Sequence, residues 1–416
     1  MEQIKDSNME KVLVLCGGYP QLALMQEFKK RGLFVYLADM NAQAVAVPYA
    51  DKFLPISAMD VEAVKNAVKE EGIDYVITAH ADQALMVAAK VSEELGLRCY
   101  LDCKTAIDVS NKAYMKQVFK EGGVPTSDYV IGKHLDLESV KSLRYPLIVK
   151  PVDSYSSRGV RRVDNIEELK EAFENAVKIS KDGSAVIEEF VGGKEVSVDV
   201  YVENGRAYVL GTCDIDKLPE PGKFIICRGK YPAVLTDDEY NQIVDVANKI
   251  AKAFNLVDTP MMIQLNVWNG KVYVLEFCAR NGGGIKFTFI KKVSGFDSVK
   301  AVADLTLGEK PHVDYKPYPK YICNEFLYCN PGVLDHVENF DKLLADGIVF
   351  EYYVYRNKGH VFGDVTCSAD RVGCLCFEGD TWAEVAEKRQ EGLEMVKVLD
   401  TNGNDILKRL PAEFGR

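Results

Sequence analysis

Lys150 ends an apolar run, Tyr145-Pro-Leu-Ile-Val-Lys-Pro151, and a polar loop, Asp153-Ser-Tyr-Ser-Ser-Arg-Gly159, follows it. A loop of small residues lets several backbone N–H groups approach phosphate oxygens while a lysine supplies a point charge. The loop joins two strand-like runs and G-x-x-x-x-G-K-[ST] is absent, so this is not a P-loop. Taken alone, a lysine before a polar hairpin is usually a surface turn. Farther on, Gln264 and Glu276 sit on two runs joined at Asn269-Gly270, an even number of residues apart. The two-residue period of paired strands puts them on one face. A carboxylate within Val-Tyr-Val-Leu-Glu276-Phe is costly to bury without a cation, and Mg²⁺ needs few protein carboxylates beside phosphate oxygens. Arg280 and then Gly282-Gly-Gly284 suit close approach of an anion. The competing reading is a structural ion pair between Glu276 and Arg280. A third candidate is the turn Gly17-Gly18-Tyr19-Pro20, with Asp39 ending the next strand. It lacks the full G-x-G-x-x-G, which argues against nicotinamide. A helix start there can still hold an anion, or the glycines serve only a tight turn.

These residues need a scaffold, and hydrophobic periodicity supplies one. From Lys11 to about Leu101, short apolar runs (12–16, 33–37, 75–78, 98–101) alternate with helix-period segments (21–30, 61–71, 83–95). That alternation predicts an open parallel α/β sheet. A helix is predicted over Lys112–Glu121, closed by Gly122-Gly123. An α+β block follows, with strands at 145–151, 160–163 and 185–191 and a helix at 166–180. Asn204-Gly205 and Asn269-Gly270 mark two hairpins. The remainder is expected to mix strands with one clear helix at Thr381–Val396.

The composition bounds the rest. The 416 residues carry 62 acids and 51 bases, a net charge of −11, which argues against a nucleic-acid or anionic-membrane partner. Eleven cysteines without a C-x-x-C pair read as free thiols in a reducing compartment. No membrane-length apolar stretch and no signal-peptide pattern occur, so a cytoplasmic location is expected.

Taken together and in order, these motifs resemble the ATP-grasp superfamily of carboxylate–amine or carboxylate–thiol ligases. The resemblance implies a parallel-sheet lead-in over 1–110, a linker helix and lid over 111–191, and a catalytic lobe over 192–416. It implies that Lys112 and Lys150 approach the ATP phosphates, and that Ser156, Ser157 and Gly159 donate from the loop closing over them. Ile187-Glu188-Glu-Phe190-Val191 is similar to the hinge that takes the adenine, and Glu195 to the acid that holds the ribose. Glu276 and Gln264 are the implied Mg²⁺ ligands, with Mn²⁺ an alternative ion. The family usually places an asparagine at the position of Cys278, a poor ligand for a hard cation. Arg280, Gly283 and Gly284 look most like the substrate-holding segment of the amino-acid ligases, and Ser368–Glu384 is similar to their C-terminal part.

The implied chemistry phosphorylates a carboxylate with ATP and lets an amine displace phosphate, with Lys150 and Arg280 stabilising charge. The expected partners are ATP, a small carboxylate and a small amine, and a homodimer is an allowed assembly. Asp214, Lys223 and Arg228 are candidates for setting specificity. The competing activities are a bicarbonate-using carboxylase, a carbamoyl-phosphate-synthase-like reaction, and a nucleotide-binding module without turnover, the last motivated by Gln264 and Cys278.

Overall fold

The computed structural model describes residues 9–154, 158–220 and 224–410. Ser156, Ser157 and Lys223 lie outside them. In the N-terminal unit the strands Lys11–Leu15, Phe34–Ala38, Lys52–Leu54 and Tyr75–Ile77 form a parallel sheet, ordered third, second, first, fourth along the chain. The strands at 11–15, 34–38 and 75–77 are apolar runs buried along most of their length, as helix-covered parallel sheets require, whereas Lys52–Leu54 at the edge is only partly buried. The helices Tyr19–Lys30, Val61–Glu71 and Asp82–Leu95 alternate with them. The strand expected at 98–101 does not form. Only a single bridge joins Tyr75 to Arg98, because the chain turns at once into the helix Cys103–Asp108, capped by Asp102. The short strand at 52–54 escapes the sequence pattern, having only three residues.

Asn111 caps the helix Lys112–Glu121 by accepting from the N–H groups of Ala113 and Tyr114. The Lys112 N–H bonds Val152 O at 2.9 Å, which ties this helix to the strand Leu147–Pro151. That strand belongs to a small antiparallel sheet with Tyr129–Gly132, Ala185–Glu189 and Arg161–Val163. The helix Ile166–Ile179 covers it through Leu169, Ala172, Phe173 and Ala176, the spacing of one helical face. Burying a leucine or phenylalanine there contributes about 1.5–3 kcal/mol.

An eight-stranded sheet forms the largest unit. Its first strands are the two expected hairpins, Lys194–Glu203 with Arg206–Lys217 and Thr259–Trp268 with Lys271–Cys278. A further small sheet pairs Gly332–Glu338 with Val361–Phe362 and Lys397–Asp400. The later chain holds more helix than its pattern announced: Lys286–Ser294 and Ser298–Leu307 precede Trp382–Met395, and Asp237–Ala253 lies between the hairpins. Ser298–Leu307 is buried along most of its length, which erases amphipathic periodicity. Among the described residues no helix is long and apolar enough to cross a membrane.

Candidate functional site

Lys112 begins its helix, Lys150 lies on a central strand of the small sheet, and Glu276 sits on the outer strand of the large sheet. All three line one cleft of about 830 Å³. Its wall also contains Glu188, Phe190, Val191, Glu195 and Gln264. The structure thus brings together eight residues singled out from the sequence. Gln264 and Glu276 are direct cross-strand partners at a bulge. Gln264 Nε2 donates to Glu195 Oε1 at 2.7 Å, and Lys112 Nζ lies 3.4 Å from Glu276 Oε2. Lys112 Nζ also donates to Ser154 O at 2.6 Å, at the root of the polar loop. Gly159 adopts φ +77°, and a Cβ there would meet Pro151 at 2.9 Å, so the loop's exit needs glycine.

The electrostatic centre is Glu188, which is 3% exposed. Its two oxygens each lie 2.5 Å from a lysine Nζ, Oε2 from Lys116 and Oε1 from Lys150, and Ser127 donates at 2.8 Å. Burial opposes the Glu188 charge, but the two lysines hold its carboxyl well below the usual range. Burial pulls Lys116 below the ordinary lysine range, while Glu188 resists. Sequence reading missed Lys116. The available signal was a lysine one turn after Lys112, between the apolar positions Met115 and Val118. Lys217, Phe224 and Asn266 also line the cleft unforeseen. Lys217 pairs with Glu195, and its Nζ stands 4.9 Å over the Phe224 ring.

Among the described residues no cluster of three His, Cys, Asp or Glu side chains forms a closed metal site, so an ion here would rest on few protein oxygens. Glu276 keeps 39% of its side chain exposed and Asn266 Oδ1 is buried without a partner, an all-oxygen donor set suited to a hard ion. Cys278 contributes nothing to it. Burial pushes its thiol up to about 12, and its Sγ lies against the carbonyls of Met262 and Arg280. Because Cys278 lies outside the cleft wall, exchanging it for Asn is expected to leave the apparent Mg²⁺ affinity of nucleotide binding within twofold, whereas Glu276→Gln should weaken it about tenfold, or ~1.4 kcal/mol. A Mg²⁺ titration of ADP binding measures it.

The structure places four other candidates outside this cleft. Arg280 does not pair with Glu276 and does not line the cleft. Its Nε donates to Asp82 Oδ1 at 2.8 Å, its Nη2 binds the other Asp82 oxygen, and its Nη1 donates to Asn281 O at 2.7 Å. The guanidinium therefore docks the eight-stranded sheet onto the N-terminal unit. Gly283 lies beside His80, and Gly284 lines a different, larger cleft. Arg228 is buried against Glu325 at 2.6 Å and lies outside this cleft.

His80 shares this junction. Burial first, then Arg280, lowers its pKa to about 4 from an ordinary 6.5. The unfolded chain therefore binds this proton between pH 6.5 and 4 while the folded chain does not, so stability falls as pH drops through that window. The difference between wild type and His80→Asn in urea midpoint is expected to be independent of pH above pH 7 and to shift in the variant's favour towards pH 5. Taking that difference separates His80 from His312 and His336, whose carboxylate partners raise their pKa values and act in the opposite sense. A pH-independent difference would sink the assignment.

Comparison with known proteins agrees with this geometry. Residues 143–289 match the ATP-grasp domain family and residues 325–399 match the L-amino acid ligase C-terminal domain 2. The carbamoyl phosphate synthase large chain of Pseudothermotoga lettingae is 24% identical over 324 residues, 73% of this chain, which spans only 29% of that relative's length. Among solved structures, an L-amino acid ligase from Bacillus licheniformis superposes with a TM-score of 0.81 at 20% identity, over 94% of this chain and 99% of the other. A phosphoribosylglycinamide synthetase from Anaerococcus prevotii gives 0.76 at 19% identity, over 95% and 100%. The two domain matches fall on the strands that carry the cleft and on the sheet behind it. The chain therefore carries an ATP-grasp domain over 143–289 and, over 325–399, a domain of the L-amino acid ligase C-terminal type.

Proposed function

We propose that the protein joins a small carboxylate, an amino acid, to an amine through an acyl-phosphate, releasing ADP and phosphate. The observation that carries this reading is the convergence of Lys112, Lys150 and Glu276 on one cleft beside the hinge Glu188–Val191. The adenine would lie along Phe190 and Val191, and Glu195 would take the ribose hydroxyls. Lys112 and Lys150 would neutralise phosphate charge. A carboxylate is a poor acyl donor, and its oxygen attacks the γ-phosphorus to form the mixed anhydride. The amine then forms the C–N bond as the C–O bond to phosphate breaks. Catalysis is chiefly positioning and charge neutralisation. Glu276 and Gln264 would hold Mg²⁺, or Mn²⁺, which supplies charge neutralisation on the nucleotide phosphates.

The sheets support unit boundaries at 110/111 and 191/192: the parallel sheet ends at Ile77, the lid sheet spans 129–189, and the next strand opens at Lys194. Eleven free cysteines support a reducing, cytoplasmic setting.

The test is ADP release with Mg·ATP across pairs of amino acids and small acids, with mass spectrometry of the product. Release that requires one carboxylate and one amine, and yields their amide, is expected. Nucleotide binding without release across the panel would overturn the proposal, and release with bicarbonate alone would move it to carboxylation.

A further inference from the structure

The wall of the nucleotide cleft ends on the cross-strand pair Gln264 and Glu276. On its other side Gln264 faces Ser197, so three side chains form one row across the sheet. Towards the hinge, the neighbouring row on that face holds Asn266 and Glu195; away from it, the next holds Met262 and Asp199. Asn266 Nδ2 donates to Val191 O at 2.6 Å, which ties the hinge to the first of these rows. Successive rows on one face lie roughly 7 Å apart. A nucleotide with its adenine at Val191 and its ribose at Glu195 therefore carries its terminal phosphate past Glu276, towards Asp199.

A cation stands there. Lys286 opens the helix Lys286–Ser294, where a positive charge opposes the helix dipole, and no acid sits in that first turn. Helix stability does not account for it. Its stem runs back over Gly282: a Cβ on that glycine would lie 2.5 Å from Lys286 Cδ and 2.8 Å from Asp199 Oδ1, so the glycine keeps the path open. The Lys286 Nζ donates to Ser197 Oγ and lies 3.3 Å from Asp199 Oδ2, on a carboxylate only 1% exposed. Asp199 also accepts from the Tyr231 hydroxyl at 3.3 Å, so the anchor is itself held. Among the described residues, Ser197 and Asp199 occupy two of the ammonium's three N–H groups. The third is left, on a side chain that keeps 16% of its surface exposed. Arg280, the other cation of this stretch, is committed to Asp82 and Asn281 O.

We propose that Lys286 is a further catalytic residue, the cation that holds the phosphoryl group during its transfer from ATP to the carboxylate. The carboxylate oxygen forms the new O–P bond, and the bond to the β-phosphate oxygen breaks with its electron pair left on ADP. The ammonium donates its third N–H to a phosphoryl oxygen throughout, and no proton changes hands. The identity of the phosphoryl acceptor rests on the ligase reading above; the meeting of Lys286 with the terminal phosphate rests on the nucleotide cleft alone.

Two variants test it: Lys286→Met, and Lys286→Met combined with Asp199→Asn. The second removes both charges together, so no carboxylate is stranded in the core and the fold is kept. Titrations of the full chain with Mg·ADP and with the non-hydrolysable β,γ-imido analogue of ATP read the phosphate contact without turnover. Both variants should keep Mg·ADP affinity within about threefold and lose about tenfold for the imido analogue, whose extra phosphate is the one Lys286 meets. Single-turnover ADP release should slow about a hundredfold in both. A double variant that binds the imido analogue as wild type does would make Lys286 a structural partner of Asp199 and overturn the proposal. Wild type that releases no ADP with any substrate pair would overturn the ligase reading instead, while the imido titration still decides Lys286.

Discussion

Replacing Lys150 with Met is expected to lower the single-turnover rate of ADP release about a thousandfold, with little change in unfolding temperature. The ammonium is the cleft-lining member of a buried triad in which Glu188 faces Lys116 on one oxygen and Lys150 on the other. Removing Lys150 leaves Glu188 paired with Lys116 and bonded to Ser127, so the carboxylate stays satisfied and the fold persists. What disappears is a fixed positive charge on the nucleotide's side of the triad, in a chain whose net charge of −11 would otherwise repel phosphate. Losing one preorganised donor to developing charge typically costs 10²–10³ in rate, and phosphoryl transfer depends on such charges almost entirely. Single-turnover ADP release at saturating nucleotide, beside a thermal melt, separates the two effects. Activity within tenfold of wild type, with the melt unchanged, would remove Lys150 from the proposed chemistry.

The same triad shows what the sequence could and could not disclose. Period-two alternation places Gln264 opposite Glu276, and the helix signal places Lys112 at a capped start, because both follow from local backbone geometry. Lys116 was silent because a lone lysine in a helix has no local partner. Its partner Glu188 lies 72 positions farther along the chain, on the strand Ala185–Glu189 of the small sheet. Arg280 misled for the related reason that an arginine four residues after a glutamate suggests a pair, whereas its partner Asp82 heads a helix of the N-terminal unit. The fold was legible where amphipathic runs are long. It was obscured at Ser298–Leu307, whose burial removes the polar face, and at Lys52–Leu54, too short to carry a period. Long-range charge pairing decides where functional side chains point, and no window of sequence contains it.

A second long-range pairing carries the largest expected effect on stability. Glu325, 1% exposed, lies between Arg228 and Arg389. Its Oε2 accepts from Arg228 Nε at 2.6 Å and from Arg389 Nε at 2.7 Å, and Arg389 Nη2 reaches Oε1 at 2.9 Å. The three residues come from adjacent strands and from the helix Trp382–Met395, so one carboxylate fastens that helix to the sheet. Glu325→Gln keeps the shape and removes the charge that both guanidiniums share. Breaking a buried ion pair from one side costs about 3–5 kcal/mol. Trp382 packs 4.9 Å from Tyr321 on the same strand, and Trp268→Phe leaves it as the single tryptophan. Its fluorescence then follows urea unfolding of this unit. The physical content of the expectation lies in a second variant. If the loss arises from stranded charge rather than from lost packing, replacing all three residues together (Arg228→Met, Glu325→Leu, Arg389→Met) should recover more than half of it, because apolar side chains of similar volume need no counter-charge. A triple variant no more stable than Glu325→Gln would mean that the network contributes through shape, and a loss below about 1 kcal/mol in the single variant would mean that it contributes through neither.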